Sequence, residues 1–276
     1  MKLTYLGTAA AEGWPGMFCG CDNCKRAIEA GGRNIRTRSQ ALIDKKLLID
    51  FPADTYMHVL YQGLDLKSVE ACIITHSHSD HLYPADFEMR CEGFAHFERE
   101  TLMTVYGTEA SGVGINHIIN QYELDKQNRV KFQRVEPFDS FQVMDYTITA
   151  LMANHDPGSN PVIYSIRKGN QNILYANDTG YFPEETWNYI TEKKMYFDLV
   201  SLDCTLGVEA CRHGHMGIAT NVEVKERLLK SACADKNTVF VINHFSHNGK
   251  AIYDEMVPIA KEHDFLVSYD GLCVER

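Results

Sequence analysis

The chain has 276 residues, 45% apolar and 23% charged, a balance that excludes disorder and fits one large domain over 1–276. Its net charge of −10 argues against nucleic-acid or anionic-membrane partners, and no apolar run reaches membrane-spanning length. The first residues read as a strand rather than an export signal, so the nine cysteines are expected as thiols or metal ligands of a cytoplasmic protein.

Lys2–Leu6 alternates as a first strand, and Gly7 to Gly16 follows as a loop bent by Gly and Pro. Next come Cys19, Cys21 and Cys24, three thiols whose spacing suits one tetrahedral zinc that lacks a fourth ligand. A short helix over Lys25–Ala30 stops at Gly31-Gly32. The basic run Arg33–Arg38 is expected as a solvated loop. Ser39–Asp44 and Lys46–Asp50 form a pair of strands, Ala53–Gln62 a helix, and His58 within it a structural or surface residue. Val69–Ile74 reads as a buried strand.

The loop behind that strand, Thr75-His76-Ser77-His78-Ser79-Asp80-His81, holds three imidazoles and a carboxylate within six residues. His76 and His78 are two apart and point the same way on an extended backbone, while Asp80 and His81 follow the turn. One loop can thus serve two metal ions, His76 and His78 on the first, Asp80 and His81 on the second.

His-x-His-x-Asp-His after a strand resembles the signature of the metallo-β-lactamase fold superfamily. The resemblance implies an αββα four-layer sandwich with two metals between the edges of two sheets, and further ligands later in the chain. It implies that Asp50, at a strand end, hydrogen-bonds the histidine loop.

Onward, Leu82–Phe97 is expected to be helical, Thr101–Tyr106 a strand, Glu109–Gln121 a helix and Arg129–Val135 a strand. His96 and His117 have no partner spacing. Phe141–Ala153 is a long strand or hairpin arm ending at Asn154-His155. By the resemblance, His155 completes the first metal. Val162–Arg167 and Asn172–Ala176 flank a Lys168–Gln171 turn, and the second runs into Asp178-Thr179-Gly180, which resembles the superfamily's bridging aspartate. Pro183–Thr191 is a helix. Phe197–Asp203 is a buried strand, whose Asp203 is a weaker candidate for supporting the ligands. A glycine-containing loop carries His213 and His215 ahead of a helix over Thr220–Ala232, with Thr220 and Asn221 suited to cap it. Thr238–Asn243 is a strand ending at His244, expected on the second metal. His247, three residues on, is the candidate fourth ligand of the cysteine site. Lys250–Glu262 is a helix and Phe265–Tyr269 the last strand.

The cysteine cluster together with His244-Phe245-Ser246-His247 is similar to the cyclic phosphodiesterases of the carbon–phosphorus lyase pathway. That similarity implies a small, cyclic or open phosphodiester substrate, two catalytic divalent ions (Zn or Mn, with Fe also allowed) and one structural Zn. It also implies that His215 acts as the general acid, with Asp80 the other candidate catalytic residue. A homodimer is left open as a partner. Alternatives left open are hydrolysis of a lactone or thioester, RNA processing, a cofactor-biosynthesis role, and a zinc-stabilised binding protein.

Overall fold

A computed structural model describes residues 1–97 and 102–276. The chain first lays down strands β1 (Lys2–Gly7), β2 (Gln40–Ile43), β3 (Leu47–Ile49), β4 (Ala71–Ile73), β5 (Met103–Gly107) and β6 (Val130–Arg134). It then lays down β7 (Ser140–Val143), β8 (Tyr146–Met152), β9 (Val162–Lys168), β10 (Gln171–Ala176), β11 (Leu199–Asp203), β12 (Val239–Asn243) and β13 (Leu266–Val267), and β14 (Cys273–Glu275) returns to pair with β1. Two seven-stranded mixed sheets result, ordered β14-β1-β2-β3-β4-β5-β6 and β13-β12-β11-β10-β9-β8-β7. In the first sheet β3 to β6 run parallel, and in the second β10 to β13 do.

Strand alternation builds three cores. Tyr5, Ile43, Ile49 and Ile73 from one sheet meet Ile148, Tyr164, Ile166 and Tyr175 from the other. The opposite side chains of the second sheet, Leu151, Ile163, Leu174 and Leu202, pack under α1 (Asp22–Ala30), α4 (Glu184–Glu192), α5 (Ile218–Lys230) and α6 (Tyr253–Lys261). On the first sheet's outer side, Leu48, Cys72 and Val105 pack under α2 (Thr55–Tyr61) and α3 (Glu109–Tyr122). The layers are therefore helix, sheet, sheet, helix, the sandwich implied by the histidine loop.

Several local expectations change. The helix expected over Leu82–Phe97 is only a 3₁₀ segment, Pro84–Arg90, whose inward residues Phe87 and Arg90 are three apart, the spacing that a 3₁₀ turn stacks. The strand expected from Thr101 begins at Met103, and Thr101 itself lies outside the described residues. Phe141–Ala153 is two antiparallel strands, β7 and β8. The last expected strand shrinks to β13, and β14 was not foreseen. The basic run is not wholly solvated. Arg36 is buried, lies over the Phe245 ring, and donates to Thr8 Oγ1 and Ser268 O, each at 2.8 Å. Thr220 and Asn221 do not cap α5, which starts after Gly217. They sit in its first turn and bond the preceding chain: Thr220 Oγ1 donates to Cys211 O, and Asn221 Nδ2 donates to Asp203 O at the end of β11.

Two close approaches bring the sheet ends together. Phe245 N donates to Thr8 O and Ala10 N to Phe245 O, so the loop after β1 is stitched to the loop after β12. Behind β10, Gly180 lies against the Arg212–Gly214 backbone, and Tyr181 N donates to Arg212 O at 2.8 Å. A Cβ on Gly180 would lie 2.5 Å from Arg212 O and 2.8 Å from Gly214 N. Gly180→Ala should therefore destabilise by about 1–3 kcal/mol. Gly20→Ala, where a Cβ meets nothing within 4 Å, should change stability by under about 0.5 kcal/mol. Urea titration of both variants checks this, and equal midpoints would contradict it.

Candidate metal centre

Five strand ends converge between the sheets. The loop after β4 carries His76, His78, Asp80 and His81, residues beyond β8, β10 and β12 supply His155, Asp178 and His244, and Asp203 is the last residue of β11. Asp50, which follows β3, accepts from Thr75 N at 2.8 Å and from Thr75 Oγ1 at 2.9 Å, and faces His81 Nδ1 at 2.8 Å. These bonds fix the loop and leave His81 Nε2 pointing inward. Asp50, Asp178 and His244 all have φ near +60°, an uncommon backbone for residues with a Cβ. At each strand end this strained backbone accompanies a side chain of the centre.

Asp178 lies at the middle and is buried. Its Oδ2 stands 3.1 Å from His76 Nε2, 3.2 Å from His81 Nε2 and 3.4 Å from His155 Nε2. Donor atoms of His76, His78, His155 and Asp178 lie within 4.8 Å of one another, as do those of Asp80, His81, Asp178 and His244. The two sets share Asp178. His155 Nδ1 donates to Gly214 O at 2.9 Å, leaving Nε2 for the centre. His244 Nδ1 faces Thr205 Oγ1 at 2.8 Å, and Thr205 is tied to Asp203.

The donors fit cations better than they fit each other. His81 Nε2 faces His244 Nε2 at 3.1 Å, and His155 Nε2 faces His78 Nδ1 at 3.2 Å, so imidazole nitrogens aim at common points. His76 Nε2 and Asp178 Oδ1 are buried without an aligned hydrogen bond. Buried polar atoms that stand close without an aligned hydrogen bond are costly unless something positive lies between them. The charges agree. Burial alone disfavours every ion here, yet the imidazoles around Asp80 hold that carboxylate well below its usual range, and those around Asp178 do the same. Conversely, burial opposes charging of His244, but Asp178 lifts it to about 9, while Asp80 and Asp50 lift His81. Burial takes His76 the other way, to about 4. The His/Asp clusters fit a dinuclear site, with positive charge that protons or divalent ions can supply.

His215 takes a different place from the other histidines. Its ring is 30% exposed, against 9% or less for His76, His81, His155 and His244, and it borders a cavity of about 290 Å³ that opens above the centre. Its Nδ1 turns inward, 2.9 Å from Asp178 Oδ1 and 3.5 Å from Asp203 Oδ2. Burial resists a proton on this ring, but the two carboxylates draw its affinity up to about 11. Asp203, Asp178, His215 and His244 thereby form a third grouping that the sequence did not announce. Asp203 also accepts from Met216 N at 2.7 Å, which anchors the loop bearing His215.

Cys19, Cys21, Cys24 and His247 gather in a separate cluster within 4.8 Å. Cys21 Sγ is 3.4 Å from His247 Nδ1, and Cys24 Sγ accepts from Gly16 N at 3.3 Å. The Cys24 backbone N–H draws the Cys21 thiol down to about 6, while burial pushes Cys24 up to about 12. Three sulfurs and one imidazole nitrogen suit a tetrahedral zinc. Glu12 joins the two centres, a role the sequence did not suggest. Its Oε1 contacts His247 Nε2 at 3.3 Å and also Ser246 Oγ, and it lines the cavity above the His/Asp centre. Of the remaining histidines, His58 is buried between Thr37 and Gln40, His213 is exposed, and His96 and His117 join no such grouping among the described residues.

The comparisons with known proteins agree with this picture. The sequence matches the Beta-lactamase superfamily domain over residues 48–234. It is 24% identical to the exodeoxyribonuclease YycJ of Bacillus anthracis over 141 residues, which make up 50% of this chain and 48% of that protein. The chain spans less than half the length of the curated relatives it matches. Among solved structures it resembles a diphosphatase from the PhnP family, with a TM-score of 0.75, 21% identity, and coverage of 100% of this chain and 97% of the other. It also resembles Zn(2+)-bound PqqB from Methylobacterium extorquens, with a TM-score of 0.75, 18% identity and full coverage of both chains. At these identities the structures speak for the fold. With more than half of the chain matched and a sandwich that gathers this His/Asp set, the chain belongs to the β-lactamase superfamily and has the architecture of its metal-dependent hydrolases.

Proposed function

We propose that the chain is a dinuclear-metal-dependent phosphodiesterase acting on a small phosphodiester. The observation that carries this reading is the position of Asp178, shared by two donor sets beneath a cavity open to solvent. The similarity to an exodeoxyribonuclease and to a PhnP-family diphosphatase favours phosphate esters over carbonyl substrates.

In this reading His76, His78, His155 and Asp178 hold one ion, and Asp80, His81, Asp178 and His244 the other. Divalent ions bound there supply Lewis-acid neutralisation of phosphoryl charge and acidify water. The chain's own residues do the rest. Asp50 locks the tautomer and direction of His81, and Thr205 and Asp203 do the same for His244. Asp178 fixes the separation of the two donor sets. His76, Asp80, His81, Asp178 and His244 are buried, so solvent meets the donor sets on the side of His78 and His215. His215 keeps one ring nitrogen on Asp178 and Asp203, and its more exposed ring donates the other proton to the departing alkoxide. Zn, Mn and Fe all suit these ligands, whereas the thiolates of Cys19, Cys21 and Cys24 with His247 favour zinc in a structural role.

Two results are expected. His215→Ala should lower the turnover of an alkyl phosphodiester by about 10²–10⁴-fold and that of a nitrophenyl diester far less, because nitrophenolate leaves without a proton. Steady-state kinetics on both esters checks this, and equal losses would remove His215 from the acid role. Cys21→Ser should lose one equivalent of zinc by elemental analysis and unfold at a lower temperature, since metal binding is coupled to folding. Unchanged metal content would show that the cysteine cluster is not a zinc site.

A further inference from the structure

The cavity above the His/Asp centre has a neighbour. A second recess of about 450 Å³ is lined by Ala11, Glu12, Gly16, Met17, Phe18 and Arg38. Ala11 and Glu12 line both, so the two spaces share a wall. The outer face of the second recess is unusual for this chain: Met17 is 64% exposed and Phe18 98%, the highest exposure among its large apolar residues. Two adjacent apolar side chains open to water beside this cavity are a surface that a ligand can cover favourably.

The platform is fixed in place. Met17 N donates to Glu12 O at 3.0 Å, Cys19 N to Gly16 O at 2.9 Å, and Trp14 N to Arg36 O at 3.0 Å. Phe18 adjoins Cys19 of the cysteine cluster, and a Cβ on Gly16 would already crowd Cys19, Glu12 and His247 at 3.1–3.4 Å. These bonds hold the backbone on either side of Phe18, and its ring stands exposed where a ligand can meet it. Arg38 adds a cation at the same recess, with its Nε held on Ala11 O at 3.0 Å and 3.9 Å from Asp54 Oδ2.

We infer that this recess is a substrate subsite that stacks a nucleobase on Phe18, making the preferred substrate a nucleoside phosphodiester. The inference rests on the phosphodiesterase reading above. A group joined to the reacting phosphorus through one sugar would extend past Ala11 and Glu12 onto Phe18. The base's π-face suits the ring and Met17, and Arg38 suits its carbonyl edges or a further phosphate.

The test compares kcat/KM for thymidine 5′-(4-nitrophenyl) phosphate, methyl 4-nitrophenyl phosphate and cyclohexylmethyl 4-nitrophenyl phosphate, which share a leaving group. The native chain should favour the thymidine ester over the methyl ester by about 5- to 100-fold, the range of a single base stack. That ratio should collapse in Phe18→Ala and persist in Phe18→Trp. A ratio unchanged in Phe18→Ala would overturn the subsite while leaving the phosphodiesterase reading intact. So would an equal preference for the cyclohexylmethyl ester, which marks a merely apolar surface. No turnover of any of the three would overturn the phosphodiesterase reading and the subsite with it.

Discussion

A buried carboxylate with four imidazoles around it governs this structure. Asp178 is almost wholly removed from water, and the nitrogens of His76, His81, His155 and His215 stand 2.9–3.4 Å from its oxygens. A carboxylate in such a place is tolerable only beside positive charge. Neutral imidazoles cannot supply it, and several imidazolium rings packed together repel one another. Divalent ions held between the nitrogens would relieve both problems. The rest of the fold reads as a means of holding these donors at that spacing: five strand ends at one edge of the sandwich, with strained backbone at Asp50, Asp178 and His244 accepted in return for direction.

The support around the centre is built in the same way on both sheets. In the first, Asp50 at the end of β3 grips Thr75 and His81. In the second, Asp203 at the end of β11 grips Thr205 and Met216 and faces His244 and His215. Each is a carboxylate that fixes an imidazole from behind. The cysteine cluster extends this logic to the loop after β1. His247 faces the thiols with one nitrogen and Glu12 with the other, and Glu12 reaches the wall of the reaction cavity. The order of the cysteine site is thereby connected to the shape of the cavity, and to the pedestal under Phe18.

Some of this was legible in the sequence for definite reasons. His76, His78, Asp80 and His81 are contiguous, so spacing alone displays them. Cys19, Cys21 and Cys24 are close in the chain for the same reason, and the structure brings His247 to them. His155 and Asp178 are single residues at strand ends, which local pattern cannot tell from ordinary turn residues, and only the resemblance singled them out. Glu12 was invisible because its partners lie more than two hundred residues away, at Ser246 and His247. Arg36 looked like part of a solvated basic run because its partners, Ser268 and the Phe245 ring, are just as distant. The 82–97 segment has helix-forming residues, but only Phe87 and Arg90 within Pro84–Arg90 turn inward, and the packing selects a 3₁₀ segment there. Propensity marks Thr220 and Asn221 as caps because it sees the helix end and not Cys211 or the end of β11.

Anomalous diffraction from crystals grown with zinc or manganese reads directly where positive charge sits around Asp178. Two peaks should flank the Asp178 carboxylate, one bonded to His76, His78 and His155 and the other to Asp80, His81 and His244. A single peak in that region, or two peaks with Asp178 bonded to neither, would contradict the account.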